Sequence, residues 1–539
     1  MPITDKNRIT LVQFGQNSIG AAMSARYLSG ILRAQGFEVT IVCVELSKMQ
    51  GSGLSWDYGY YDISDDAIKN LFEISRGSLF IGITVYSFVA YIVNKIYASK
   101  YNLKDIPFVV GGPHATLDPY NSSLFSDYVC IGDGERAIVE LAQRLRRGDL
   151  PAQGDALVPV ADNIYSSSVL RKSGEGRVLF GKEASLDSQS LPDYSFQSEY
   201  YLSEGGCEKI TPENAGKHVN IYATFFSRGC VNDCSYCGHD TLAHRSGFQK
   251  RIKSKDIQHF IKELKMIRKS YPWVSRVAFF DPNILSNRRD ALEAILREYR
   301  SSVELPLSVT GFTFNQINEE IFRNFLSAGM DSVIFGIESG SEKTRKLYNR
   351  RESKEQILKV DELNHRLKKD FTFNIQYDVI VDSPWESVDD AMESLAFIAR
   401  LKGYDYLDIF SLRFLPGTRL FQKAIEEGIL KREDVDRENR RVFHSMNRTY
   451  ENFLFLLVRD GFLREGWAFR IAVKPRTVRF MRKLFGRYGE RIFRLYASKK
   501  ASGFIAFHKK VKKFFWLLKT AGVRKTLGIL KDKLRRKLR

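Results

Sequence analysis

Cysteine is scarce in this chain, with six in 539 residues. So few exclude a disulfide framework. Three of them, Cys43, Cys130 and Cys207, stand alone, so no second Cys-x2-Cys pair exists to close a four-cysteine zinc knot. No run of 18 or more apolar residues occurs, and no membrane-spanning helix is expected. The opening Met1-Pro2-Ile3-Thr4-Asp5-Lys6 lacks the basic-then-apolar pattern of a secretory signal, so a reducing cytoplasm is the expected setting. Acidic charge is missing from one end only. From Gly461 to Arg539, 25 Lys and Arg face three acids, which leaves 58 bases and 60 acids for everything before. The net charge of +20 therefore belongs to the last 79 residues, and the body is close to neutral.

The other three cysteines stand together as Cys230-x3-Cys234-x2-Cys237. Thiolates are soft ligands suited to iron–sulfur clusters. Three of them hold three irons of a four-iron cubane and leave the fourth open to a ligand that is not protein. Two other readings remain open on spacing alone. His239 or His244 would complete a Cys3His zinc site. Alternatively the thiols are inert, although crowding in one turn of chain is poor spacing for stapling a fold.

Upstream, short apolar runs alternate with helical stretches. Ile9–Phe14 runs into the turn Gly15–Gly20, and a helix is expected over Ala21–Ala34. Val39–Val44, Leu79–Val85, Phe108–Val110 and Tyr128–Ile131 are strand-like, and a helix after Glu135 runs to Arg146. Near-continuous apolar strands with helices between them predict a doubly wound parallel sheet over residues 1–165. Such sheets bind ligands at the carboxyl ends of their strands, where Gly111, Gly112, Gly132 and Gly134 fall. The glycines do not form Gly-x-Gly-x-x-Gly, so a nicotinamide cofactor is not indicated.

Six further strand-like runs follow: Val219–Phe225, Val277–Phe280, Leu307–Gly311, Ser332–Gly336, Phe373–Val381 and Tyr406–Phe414. Helical stretches separate them, as in βα units, and predict a partial (β/α)6 barrel over residues 190–430. The cysteine triad comes directly after the first strand, where barrels carry functional loops. Residues 431–539 read as a helical region with a basic tail.

The triad, with Tyr236 before its last cysteine, resembles the signature of the radical S-adenosylmethionine superfamily. So do Arg251-Ile252-Lys253-Ser254, Gly336-Ile337-Glu338-Ser339-Gly340 and Pro416-Gly417-Thr418. Asp281 ends the second barrel strand, where the subgroup often has Asp-Asp. Val109-Val110-Gly111-Gly112-Pro113-His114 and Gly132-Asp133-Gly134-Glu135 resemble the domain that precedes the barrel in B12-binding members. The usual Asp-x-His-x-x-Gly motif is absent, and His114 is expected to shape its loop rather than to bind cobalt.

The resemblance implies a [4Fe-4S] cluster on Cys230, Cys234 and Cys237. It implies S-adenosylmethionine near Tyr236, Asp281, Glu338 and Ser339, and cobalamin near Thr84, Ser87, Gly111, Gly112, Gly132, Gly134 and Glu135. Glu338 on sequence grounds is also open to a strand-end ion pair with Arg or Lys. The family makes a 5′-deoxyadenosyl radical and most often methylates an unactivated carbon of a small molecule, here expected to be lipid-like or another secondary metabolite. Ring formation or oxidative rearrangement is the alternative, and a non-enzymatic cobalamin- and metal-binding regulator a third. A flavodoxin or ferredoxin is the expected electron donor.

The tail carries Phe504, Phe507, Val511, Phe514, Phe515 and Leu518 at helical spacing among lysines, and then Ile529, Leu530, Leu534 and Leu538 among further bases. Such helices suit an anionic membrane surface. Packing on the barrel and binding of an acidic partner stay open, and nucleic acid is disfavoured because the aromatics lie on one face.

Overall fold

The computed structural model describes residues 7–502, apart from 16–22, 50–59, 104, 151–157, 175–180, 182–184, 187–190, 249–251 and 442–443. The two aromatic and leucine-lined stretches of the tail, most of the Gly15–Gly20 turn and Arg251 lie outside the described residues.

Strands β1 (Arg8–Gly15), β2 (Glu38–Glu45), β5 (Ile81–Thr84), β6 (Phe108–Gly111) and β7 (Tyr128–Cys130) build a parallel sheet in the order β2-β1-β5-β6-β7. Between β2 and β5, β3 (Ser47–Met49) and β4 (Tyr60–Asp62) form a separate ribbon. The runs are buried on both faces, as their unbroken Val and Ile content requires. The order reverses between β1 and β5, and the carboxyl ends there open a crevice.

β8 (Ile164–Ser166) joins β7 antiparallel at one edge. At the other edge β9 (Glu199–Ser203) runs parallel to β2, and β10 (Gly206–Ile210) folds back on it. Residues 199–210 therefore belong to the first sheet and not to the barrel, whose start was expected near 190. The return is pinned by a buried ion pair: Arg26 donates to both oxygens of Glu199, at 3.1 and 2.6 Å.

The second sheet is parallel throughout, in the order β11 (Ile221–Thr224), β14 (Arg276–Phe279), β15 (Leu307–Phe312), β16 (Met330–Glu338), β17 (Asn374–Val381) and β18 (Tyr406–Ser411). Each of the six runs anticipated from sequence is one of these strands. Between β11 and β14, the short β12 (Ser227–Gly229) and β13 (Ile252–Ser254) pair antiparallel and frame the cysteine loop. Burial alternates along β17 and β18. Ile375, Tyr377, Val379 and Val381 face the helices, which leaves Gln376, Asp378, Ile380, Asp408 and Phe410 on the concave side. Helix Tyr450–Arg459 packs on β18 and on helix Val388–Arg400. It begins the helical C-terminal region, which continues through Pro475–Ser502. Among the described residues no helix is long and apolar enough to cross a membrane.

Candidate functional site

β12 leads straight into the triad, and Cys237 caps helix Gly238–Arg245. The sulfurs are surrounded by donors. Cys230 Sγ accepts from the Asn232 N–H at 3.4 Å and is hydrogen-bonded by Asn283. Arg350 Nη1 lies 3.7 Å from Cys234 Sγ, and the His239 N–H serves Cys237. Burial raises all three thiols, Cys237 to about 12, so the thiolates call for a cationic group in their midst. N–H bonds aimed at sulfur are what a cluster cradle supplies, and the donor set fits one. Among the described residues, no three His, Cys, Asp or Glu side chains gather tightly enough to hold one metal ion. A single zinc requires that gathering, whereas thiolates on separate irons do not.

Glu338 ends β16 at a bulge, with φ of 63° in the left-handed region. A non-glycine residue there is strained, and such strain gathers at working sites. The turn folds the carboxylate back over Gly336, where a Cβ would sit 2.2 Å from Glu338 Oε1. The Tyr236 hydroxyl bonds to it, and Arg350 Nη1 stands 3.9 Å away. Burial raises the Glu338 carboxyl and Arg350 opposes that. Arg350 is the residue that sequence reading missed. It also donates to Gly336 O and Glu352, both at 2.7 Å, and comes within 3.4 Å of the Tyr236 hydroxyl. The strand-end ion pair weighed for Glu338 exists, but it is long.

Two expected contacts of S-adenosylmethionine are committed elsewhere. Asp281 is fully buried and accepts from Phe226 N at 3.0 Å and from Ser227 N and Oγ at 2.5 and 2.7 Å. It anchors the strand that leads to the triad. Ser339 is buried against Ser394 Oγ at 2.8 Å and accepts from Ser341 N, which shapes the turn under Glu338. Lys253, from the Arg-x-Lys-Ser element, reaches Asp133 at 3.0 Å.

Between the two sheets lies a cavity of about 370 Å³. Thr84, Gly111, Gly112, Gly132, Gly134 and Glu135 line it, and Ser87 does not: its hydroxyl is 3.1 Å from His114 Nδ1. His114 Nε2 meets Asn121 at 2.9 Å, so this buried imidazole shapes its loop as anticipated. Gly112 and Gly132 have φ of 93° and 81°. A Cβ on Gly132 would stand 3.0 Å from the Ser246 backbone, so glycine is what lets the strand tip meet the barrel side. The facing wall includes Phe225, Arg228, His239, Leu242, Phe248 and Phe280. Arg228 bridges the domains, with Nη1 3.0 Å from Asp133 and Nη2 2.5 Å from Glu135. A largely apolar slot floored by glycine backbone fits a corrin ring, and hydroxyls and backbone amides suit its amide rim.

On the concave side of β17, burial pushes the Asp378 carboxyl up to about 7, aided by Glu338 and Asp408 and opposed by Gln376 at 2.8 Å. The folded chain then keeps a proton that the unfolded chain releases near the ordinary value of 3.8. Stability of the cofactor-free protein should fall as pH rises from about 4 to about 7, by up to about 1.4 kcal/mol per unit from this group. Asp378→Asn should flatten that slope between pH 5 and 7 in thermal melts. An unchanged slope would remove Asp378 as its source.

The B12 binding domain family matches residues 17–142, and the Radical SAM superfamily matches residues 224–395. The chain is a B12-binding radical S-adenosylmethionine enzyme. Its cofactors are accordingly a [4Fe-4S] cluster, S-adenosylmethionine and cobalamin. This radical enzyme is 23% identical over 416 residues to "Uncharacterized methyltransferase PH0819" of Pyrococcus horikoshii, which covers 76% of this chain and 80% of the relative. Its fold is shared with the radical S-adenosylmethionine methyltransferase TsrM from Kitasatospora setae, solved with cobalamin and a [4Fe-4S] cluster, at a TM-score of 0.52 and 15% identity over 78% of each chain. It is shared as well with the cobalamin-dependent radical enzyme OxsB, solved with aqua-cobalamin and S-adenosylmethionine, at a TM-score of 0.53 and 14% identity, covering 99% of this chain and 76% of that one.

Proposed function

We propose that this enzyme is a cobalamin-dependent C-methyltransferase. The observation that carries the reading is the placement of the cysteine loop. Helix Gly238–Arg245 starts at Cys237, and within two residues its His239 lines the cavity between the sheets. The cluster loop and the corrinoid slot thus share one wall, which suits methyl transfer and radical formation on one substrate. The methyltransferase name of the Pyrococcus relative supports the same reading.

In this reading Cys230, Cys234 and Cys237 hold the cluster, and the glycines at the tips of β6 and β7 hold cobalamin. Together the bound cofactors supply a 5′-deoxyadenosyl radical and a transferable methyl group. The protein's own part is placement. Glu338 accepts from the ammonium or ribose of S-adenosylmethionine, Tyr236 borders the adenine, and Arg350 fixes both side chains. Asp378 and Gln376 line the concave floor where a substrate enters, and they offer hydrogen-bond partners to a polar group there, whatever apolar part the substrate also carries.

Reconstituted enzyme should yield 5′-deoxyadenosine and S-adenosylhomocysteine from S-adenosylmethionine. Formation of 5′-deoxyadenosine alone would favour rearrangement chemistry without methyl transfer. Glu338→Gln keeps shape and loses charge; it should weaken S-adenosylmethionine binding roughly 10- to 100-fold in calorimetry. Its iron content should match the parent enzyme, and an unchanged affinity would take Glu338 out of the site.

A further inference from the structure

Helix Pro475–Ser502 has two faces of opposite chemistry. On one, Val478, Met481, Phe485, Phe493 and Tyr496 are buried. This face packs on helix Tyr450–Arg459, where Phe453 meets the rings of Phe485, Phe493 and Tyr496 at 5.3, 5.8 and 5.4 Å. Gly489 lets the helix come down onto the chain before Tyr450, because a Cβ there would stand 2.5 Å from Arg448 O. The apolar face is thus committed to the protein itself.

The opposite face is basic. Arg476, Arg479, Lys483, Arg487, Arg491 and Arg494 are all exposed, and steps of three or four residues set them in one row. At about 1.5 Å of rise per residue the row is roughly 27 Å long. Glu490 is the only acid between Pro475 and Arg494, and it pairs with Arg494 and Arg448 at 3.0 and 3.2 Å. Exposed helix faces elsewhere in this chain are built differently. Arg144 meets Glu140, Arg289 meets Glu293, Arg323 meets Glu319 and Lys423 meets Glu427, each four residues away and at 2.5 to 3.0 Å. Here positions 479, 483, 487 and 491 place base above base, which destabilises a helix. Arg476 and Arg479 also stand at the amino end, where the helix dipole disfavours positive charge. Water alone gives that pattern no return, whereas a negatively charged partner offsets the repulsion.

The row suits a flat partner. It lies on the outward side of one helix rather than along a groove, and it contains no aromatic ring on which nucleic-acid bases could stack. Beyond residue 502 the sequence sets aromatics and leucines among further bases, from Phe504 to Leu538, a composition suited to membrane surfaces. We propose that the outer face of helix Pro475–Ser502 docks by charge on an anionic lipid bilayer. Each base near such a surface raises partition roughly fivefold. The inference uses the fold alone and stands whatever group the enzyme transfers.

Vesicle flotation of the full chain tests it. The parent protein should float with phosphatidylcholine vesicles holding about a third phosphatidylglycerol, stay down with phosphatidylcholine alone, and be released as salt rises. The variant Arg479→Glu, Lys483→Glu, Arg487→Glu, Arg491→Glu should partition at least about a hundredfold less. Its 5′-deoxyadenosine formation should be unchanged, since none of the four lines the cavity between the sheets. Should that variant not fold, glutamine at the same four positions removes the charge without reversing it and decides by the same readout. Flotation of the variant equal to the parent would place the binding in the residues beyond 502 and overturn the proposal. Binding that ignores lipid charge would overturn it too. So would a parent protein that ignores both vesicles, and retardation of single-stranded RNA by that protein would point to nucleic acid instead.

Discussion

Cys234→Ala should abolish reductive cleavage of S-adenosylmethionine, lowering 5′-deoxyadenosine formation by at least about a thousandfold, or some 4 kcal/mol of activation free energy. Two thiolates leave a cubane with two irons lacking protein ligands, so cluster and activity should be lost together. The fold should survive. Cys234 is partly exposed and lies on a loop, outside the hydrophobic cores. Its removal takes away a sulfur beside Arg350 but leaves that guanidinium its bonds to Gly336 O and Glu352. Cys207→Ala is the matched control, because Cys207 is exposed on β10 at the far edge of the first sheet. It should retain iron and full activity. Cleavage by Cys234→Ala protein that still holds iron would refute the ligand assignment.

The features legible in the sequence are those written in local pattern. Each barrel strand is a β-branched or aromatic run between helical stretches, and the triad and Gly336–Gly340 are contiguous words. What escaped depends on where a chain turns. A carboxylate at a strand end reads the same whether it faces a ligand or its own backbone. Asp281 turns back onto Phe226 and Ser227, and Glu338 is folded over Gly336 toward Tyr236 and Arg350 by a positive φ that only the structure reveals. Arg350 lies twelve residues beyond Glu338, past a helix and a left-handed Asn349, so no spacing rule ties it to the site. β9 rejoins the first sheet after an excursion of more than 150 residues from β2, a pairing without local signature. The same holds for Arg228 and its partners more than 90 residues earlier.

That distant contact carries the second large effect. Arg228→Ala should destabilise the protein by about 3 kcal/mol and weaken cobalamin binding, because it leaves carboxylates stranded at the strand tip. Asp133 and Glu135 are both buried, and Asp133 keeps Lys253, so the penalty falls mainly on Glu135. Burial pushes the Glu135 carboxyl up, and Arg228, helped by a backbone amide and Lys253, more than offsets this, holding it below its ordinary 4.5. In the parent protein this pair therefore stabilises above about pH 4.5 and loses its contribution as pH falls through the lowered value. Without Arg228 the sign reverses: the buried carboxyl prefers its proton, and the variant should gain stability on acidification below neutrality.

A double-mutant cycle separates the pair from mere loss of packing. Glu135→Gln removes the stranded charge, so in the Arg228→Ala background it should recover much of the loss. In the parent it should cost stability, because it leaves Arg228 with Asp133 alone. Thermal melts and corrinoid stoichiometry on the four proteins report both consequences. Additive effects would mean that the bridge across the cavity contributes nothing as a pair. Strong coupling would show that the barrel fixes the loop on which cobalamin is expected to rest, so that cysteine loop and corrinoid slot are held in register by one guanidinium.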